Sequence, residues 1–149
     1  MIIIEDSREQ KQLNFRSKCI DYVMKAKLEY GDYAAIMKNG EKIPVVFERK
    51  SLADLFGTLG KGHTRFKKEL ERAQSDDVMV VILIEASYAE VLAGYHRSKM
   101  RGHVVMDILC TYMVKHAVPF ICTGSRRDSQ ILITNFYKAW EKQYAGNTC

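Results

Sequence analysis

Seven consecutive apolar residues, Val78-Met79-Val80-Val81-Ile82-Leu83-Ile84, constrain what this chain can fold into more than any other feature. The run is far short of the ~20 residues that a helix needs to span a bilayer. It therefore predicts a buried strand over Val78 to Glu85, and a globular domain must be built around it. The chain has 149 residues, the usual size of one domain, enough to bury roughly two thirds of the surface its unfolded form would expose.

Other segments predict what surrounds that strand. Ile2 to Glu5 reads as a first strand, and Phe15, Cys19, Tyr22 or Val23, and Ala26 recur at helical spacing, which predicts a helix from about Gln12 to Ala26. Tyr33 to Met37 and Ile43 to Phe47 are β-rich runs flanking Asn39-Gly40, a strong hairpin signal. A short helix is expected from Ser51 to about Phe56. A second, with Phe66, Leu70 and Ala73 on one face, is expected from Thr64 to about Gln74. Gly94 to Gly102 reads as a basic connection, Val104 to Ala117 as a helix, and Pro119 to Cys122 as a last short strand. Ser125, with Asp128 in capping-box position, starts a final helix reaching about Tyr144. The expectation is a single α/β domain, a mixed central sheet flanked by helices.

The sheet also makes a geometric claim about charge. Residues two apart in a strand share a face, so Glu48 and Lys50 project together and Arg49 points the other way. Opposed residues of a hairpin share a face too. A two-residue Asn39-Gly40 turn would put Asp32 and Glu48 on opposite faces. A three-residue loop, with Gly40 left-handed in a bulge, pairs Met37 with Glu41 and Asp32 with Val46, and Asp32, Glu48 and Lys50 then line one face. The bulged form, or another register of the same parity, is the prediction. Mg²⁺ takes hard oxygen ligands, commonly one or two carboxylates with water and phosphate completing the shell. Asp32 and Glu48 suit that need, and Lys50 could reach the same phosphate or water.

Taken singly, Asp32 is explained by a turn, Glu48-Arg49-Lys50 by a strand end, and Ser51 to Asp54 by a helix cap. Together they resemble the signature of the XPF/Mus81 nucleases, the ERCC4 nuclease domain: G-D, a variable stretch, then E-R-K-x-x-x-D. Gly31-Asp32 and Glu48-Arg49-Lys50-Ser51-Leu52-Ala53-Asp54 match without departure. The family's D-x-R-E is similar to Asp6-Ser7-Arg8-Glu9, its basic residue after a glycine-rich turn to Arg65, and its apolar strand ending in I-E to Val80 to Glu85. The resemblance implies a restriction-endonuclease-like fold and hydrolysis of DNA dependent on Mg²⁺, with Mn²⁺ substituting. It implies Asp32, Glu48 and Asp54 as the acidic core, and Asp6 and Glu9 as ligand or water-positioning groups. Lys50 would orient or activate the attacking water, and Arg49 and Arg8 would support the carboxylates. Metal ligands are then expected among Asp32, Glu48, Asp54 and Asp6.

The formal charge of +5 fits an anionic partner. Gly60 to Lys68 and His96 to Arg101 are basic stretches, and Lys61, Gly62, His63, Arg65, Arg97, Lys99 and Arg101 are the candidates for contact with DNA. The glycine-rich turn lacks the spacing of a phosphate-binding P-loop, so ATP is not expected. Family members that prefer branched DNA commonly carry a helix-hairpin-helix module after the nuclease domain, and none is expected within residues 1–149. Activity on flaps, forks or junctions, in repair or recombination, is implied by kinship alone. The last helix presents a wide apolar face through Leu132, Phe136 and Trp140, and the resemblance implies a homodimer through C-terminal helices. No secretory leader and no membrane span is seen, so an intracellular protein is expected. The four cysteines show no C-x-x-C pair and read as reduced, structural thiols. Two alternatives stand beside the nuclease: a non-catalytic DNA-binding or dimerisation subunit, and a Mg²⁺ enzyme acting on RNA or nucleotides.

Overall fold

Every apolar strand of the chain is drawn into one mixed sheet. The computed structural model describes residues 1–146. The strands are β1 (Ile2–Asp6), β2 (Tyr22–Ala26), β3 (Tyr33–Ile36), β4 (Val45–Lys50), β5 (Met79–Ile84) and β6 (Phe120–Cys122). The helices are α1 (Leu52–Leu59), α2 (His63–Ser75), α3 (Tyr88–Ala93), α4 (Gly102–His116) and α5 (Arg126–Ala145). The sheet order is β2-β1-β3-β4-β5-β6. Strand β3 is antiparallel to β1 and to β4, and the other neighbouring pairs are parallel.

From Val80 to Ile84 the apolar run is buried on both faces of this sheet. Val80, Ile82 and Ile84 of β5 face a core shared with α1, α2, α3 and α4, whereas Val81 and Leu83 face a second core that Ile133 and Tyr137 of α5 complete. A parallel strand covered on both sides has no polar face to supply, which is why its sequence does not alternate. Tyr137 is fully buried, and its hydroxyl donates to the carbonyls of Val45 (2.9 Å) and Tyr33 (3.1 Å), fastening α5 to the hairpin. Leu132, Phe136 and Trp140 lie half-buried at the edge of that core, and Tyr144 is 65% exposed.

The hairpin has the parity that the site requires. Met37 donates to Glu41 O (2.8 Å), Gly40 donates to Met37 O (2.9 Å), and Gly40 has φ +88°, the three-residue loop with its left-handed glycine. The register then slips: three residues back from Ile36 to Tyr33 correspond to five forward from Lys42 to Phe47. Pro44, with no amide hydrogen to offer the ladder, sits inside the slip. A slip of two preserves the face, so Asp32 and Glu48 stay together although the residue opposite Asp32 is not Val46 as expected.

The helix expected from Gln12 to Ala26 does not form. Its second half is β2, paired in parallel with β1, and Asp21 donates to Met1 O (2.8 Å) to start the ladder. Its first half is an irregular loop whose backbone is held from outside. Arg49 and Arg126 donate to Lys11 O (2.8 and 2.9 Å), Arg126 to Gln12 O (2.6 Å), and Leu13 N donates to the Tyr33 hydroxyl (3.1 Å). Ser17 adds a local hydrogen bond to Cys19 N, the kind that competes with a helix.

Smaller differences follow local chemistry. α1 continues through Gly57 to Leu59, and Ser51 caps it by accepting from Asp54 N. The short helix α3, unforeseen in the sequence, is set by a capping box between Ser87 and Glu90. Cys110 and Cys122 are free thiols, but Cys19 is disulfide-bonded, which corrects the expectation for that residue; Cys149 lies outside the described residues. No helix among the described residues is long and apolar enough to cross a membrane.

Candidate active site

The hairpin and the β4–β5 pair bring three charged groups to the floor of one cleft. Gly31 turns the chain into β3 at φ +66°, and a Cβ there would lie 2.9 Å from Phe47 O. Asp32 is pinned by its backbone, donating to Phe47 O and accepting from Asp6 N, both at 2.8 Å. Its side-chain Oδ2 accepts the amide of Arg49 at 2.7 Å. On the same face Glu48 Oε1 accepts from the Lys50 ammonium, which lies 5.2 Å from the centre of the Phe66 ring of α2. The cleft, 1340 Å³ in volume, is also lined by Asp6, Glu9, Asp54, Lys61, Arg65, Lys68 and Glu69.

Burial and crowding set the electrostatics. Loss of solvent, then the nearby Glu48 charge, pushes the Asp32 carboxyl up to about 8. Burial likewise holds Glu48 above the ordinary carboxylate range, against the pull of Lys50. For the Lys50 amine burial works downward, but the charges of Glu48 and Asp32 outweigh it and raise the group above its usual value. Two carboxyls that resist ionising together, beside an ammonium that stays charged, form a site short of positive charge.

Arg49 occupies the opposite face and belongs to the framework. Its guanidinium meets Glu85 at 2.7 Å and Lys11 O at 2.8 Å, lies 3.5 Å from Glu9, and covers the Tyr33 ring at 5.8 Å from the centroid. Asp6 is equally committed. It accepts from Arg8 N (2.7 Å), Arg8 Nε (2.8 Å), Arg8 Nη2 (2.9 Å) and Leu28 N (2.8 Å), and the Arg8 guanidinium holds its carboxyl down at about 2. Those four bonds use the acceptor capacity of a carboxylate. Glu9 accepts from Lys11 N (2.7 Å), and Asp54, exposed at the start of α1, accepts from the Ser51 hydroxyl (2.6 Å).

The candidate DNA contacts divide in space. Lys61, Gly62 and Arg65 line the cleft, whereas His63 is turned away, its Nδ1 3.1 Å from the Tyr112 hydroxyl and its ring stacked on that side chain. Lys99 and Arg101 line a separate hollow of 530 Å³ with His96 and His103, and Arg97 lines neither. The α1–α2 turn approaches this second hollow, since a Cβ on Gly60 would lie 3.8 Å from the side chain of Met100, one of its lining residues. The sequence assigns Phe66 only to the apolar face of its helix and gives Glu69 and Arg72 no role, although the three-residue spacing of Phe66, Glu69 and Arg72 is the signal that places them together.

This floor of two carboxylates and a lysine, on a mixed sheet, coincides with the signature that the sequence resembles. The chain belongs to the ERCC4 domain family, whose model matches residues 5–136. Its fold is that of XPF from Aeropyrum pernix, at 16% identity and a TM-score of 0.70, covering 98% of this chain and 68% of that one. A second structure of that protein, in complex with DNA, superposes with a TM-score of 0.68 at 17% identity, covering 95% and 66% of the two chains. A comparison with curated proteins found no match.

Proposed function

We propose that this protein is a metal-dependent endodeoxyribonuclease that hydrolyses phosphodiester bonds, with branched DNA as its substrate. The observation that carries the reading is the convergence of Asp32, Glu48 and Lys50 on one face at the floor of a cleft whose rim bears Lys61, Arg65, Lys68 and Arg72. Membership of the ERCC4 family and the likeness in fold to a protein solved with DNA support it.

The residues present fit a hard divalent cation. Asp32 Oδ1 and Glu48 Oε2 engage no protein donor among the described residues, and a cation would offset the loss of solvent that, with the mutual repulsion of the carboxyls, holds both above their ordinary range. No three His, Cys, Asp or Glu side chains among the described residues enclose an ion by themselves. Two carboxylates suffice for Mg²⁺, which keeps water and phosphate in its remaining positions. When bound, Mg²⁺ or Mn²⁺ supplies a Lewis acid at the phosphate and makes hydroxide accessible near neutral pH.

Within this scheme Asp32 and Glu48 are the ligands, and Asp54 stands at the rim. Asp6 and Arg8 instead anchor the turn that follows β1, since the Asp6 oxygens are already filled. The Lys50 ammonium donates toward the attacking water and the charge that grows on the phosphoryl oxygens. Lys61, Arg65, Lys68 and Arg72 neutralise backbone phosphates along the track, and Lys99 and Arg101 lengthen it. A homodimer through the half-buried row Leu132, Phe136 and Trp140 would place two such clefts on one assembly.

The test compares wild type with Asp32→Asn and Glu48→Gln on linear duplex, 3′-flap, fork and four-way-junction DNA, in Mg²⁺ or EDTA. Cutting by wild type alone, and only with metal, is expected. DNA that is bound but never cut with any divalent metal would leave a non-catalytic DNA-binding subunit in place of the enzyme. Light scattering that reports a monomer would remove the homodimer.

A further inference from the structure

Helix α2 brings one more carboxylate into the cleft. Phe66, Glu69 and Arg72 follow at three-residue spacing and all three line it. Residues three or four apart share a helix face, and Phe66 identifies that face, because its ring lies beneath Lys50. Glu69 is thereby carried to the side where the floor lies, and its charge acts on Glu48 of β4 and on Arg8. It is half-buried there. Arg65 and Arg72 stand one turn to either side, yet Glu69 pairs with neither; the ion pair within α2 joins Lys67 to Glu71. Glu69 thus adds a further carboxylate to a cleft that already holds the buried Asp32 and Glu48, and a divalent cation there would attract all three.

Resting on the nuclease reading above, we propose that Glu69 is a metal-positioning residue, whose carboxylate accepts hydrogen bonds from water on the divalent ion held by Asp32 and Glu48. Indirect placement follows from two facts. Among the described residues no three acidic side chains converge tightly enough to enclose an ion, and Mg²⁺ keeps several of its waters when bound by one or two carboxylates. Groups that hold a metal through such intermediaries change its affinity by roughly 10- to 100-fold. The alternative role for Glu69, a negative charge that merely weakens DNA binding along a basic rim, makes a different prediction.

The test is Mn²⁺ titration calorimetry on DNA-free wild type, Glu69→Gln and Glu69→Asp, joined to metal-activation curves for cleavage and to DNA binding in EDTA. Glu69→Gln is expected to bind Mn²⁺ about tenfold more weakly and to need correspondingly more metal for half-maximal cleavage. Its kcat should recover at saturating metal. Glu69→Asp, one methylene shorter and still charged, should recover part of the affinity, and it carries the same readouts if the glutamine variant folds poorly. Unchanged Mn²⁺ affinity in Glu69→Gln overturns the proposal, as does tighter DNA binding in EDTA as the sole effect. Wild type that neither binds Mn²⁺ nor cuts DNA would overturn the nuclease reading itself, an outcome distinct from both.

Discussion

The Asp32 carboxylate accepts the Arg49 amide at 2.7 Å, so the residue that enters β3 is tied to β4 between Glu48 and Lys50. One hydrogen bond therefore fixes the spacing of both carboxylates, while the Arg49 side chain, on the far face, locks the same strand to Glu85 and Lys11. Backbone and side chain of a single residue thus hold the site from both sides of the sheet.

Asp32→Asn should stabilise the metal-free protein at high pH while abolishing cleavage. Asp32 titrates near 8 in the fold, far above its usual value, so its contribution to stability is full below about pH 4 and is lost as pH rises through 8. Thermal melts in EDTA from pH 5 to 9 should show Tm of the wild type falling more steeply than that of the variant. Added Mg²⁺ should reverse the fall, because a ligand that binds only the native state stabilises it.

Lys50→Ala should lower kcat by about 10²- to 10³-fold, the usual consequence of losing a group that stabilises developing charge. DNA affinity should change little, since Lys50 lies at the floor, 15% exposed, beneath the basic rim. Single-turnover cleavage measured beside a binding isotherm separates the two effects. A parallel loss of affinity would make Lys50 a phosphate anchor instead.

Asp6→Asn should cost stability without weakening Mn²⁺ binding. The carboxyl is held at about 2 by Arg8, so its contribution is present above pH 4 and is lost as pH falls through 2. With Arg8 61% exposed and the pair partly screened by solvent, roughly 1 kcal/mol is expected. Acid denaturation monitored by circular dichroism should show the variant unfolding with a shallower dependence on pH below 4. A tenfold fall in Mn²⁺ affinity would mean that Asp6 gives up its protein donors to hold metal.

Gly31→Ala should disturb the site more than the fold. The new Cβ would meet Phe47 O at 2.9 Å in a backbone conformation that side chains rarely adopt, a strain of about 1–3 kcal/mol. Relief by movement displaces Asp32, the next residue. Cleavage rates should drop by a larger factor than urea denaturation accounts for, and wild-type kinetics in a destabilised variant would sink the claim.

Most of the fold was legible because local pattern and tertiary role agree. The β5 run is apolar throughout since both faces are covered, the Phe66, Leu70 and Ala73 stripe of α2 faces the core, and Ser125 caps α5 where expected. The residues from Gln12 to Ala26 were misread because apolar spacing compatible with a helix is weak against the open edge of β1 and the two arginines that seize the loop backbone. His63 is grouped in the sequence with its basic neighbours, whereas the fold pairs its ring with Tyr112, which is far along the chain.

The sequence by itself determined the buried central strand, the shared face of Glu48 and Lys50, and the family, since strand periodicity and motif spacing are properties of contiguous residues, whereas the loop and register of the hairpin decided that Asp32 joins that face. Tertiary structure alone decided which carboxylates are free. Asp6 is filled by Arg8 and Leu28, Asp32 and Glu48 each keep an oxygen, and Glu69 enters the cleft from a helix of mostly basic aspect. A carboxylate's role depends on the donors that reach it, and those come from parts of the chain that sequence spacing does not bring together.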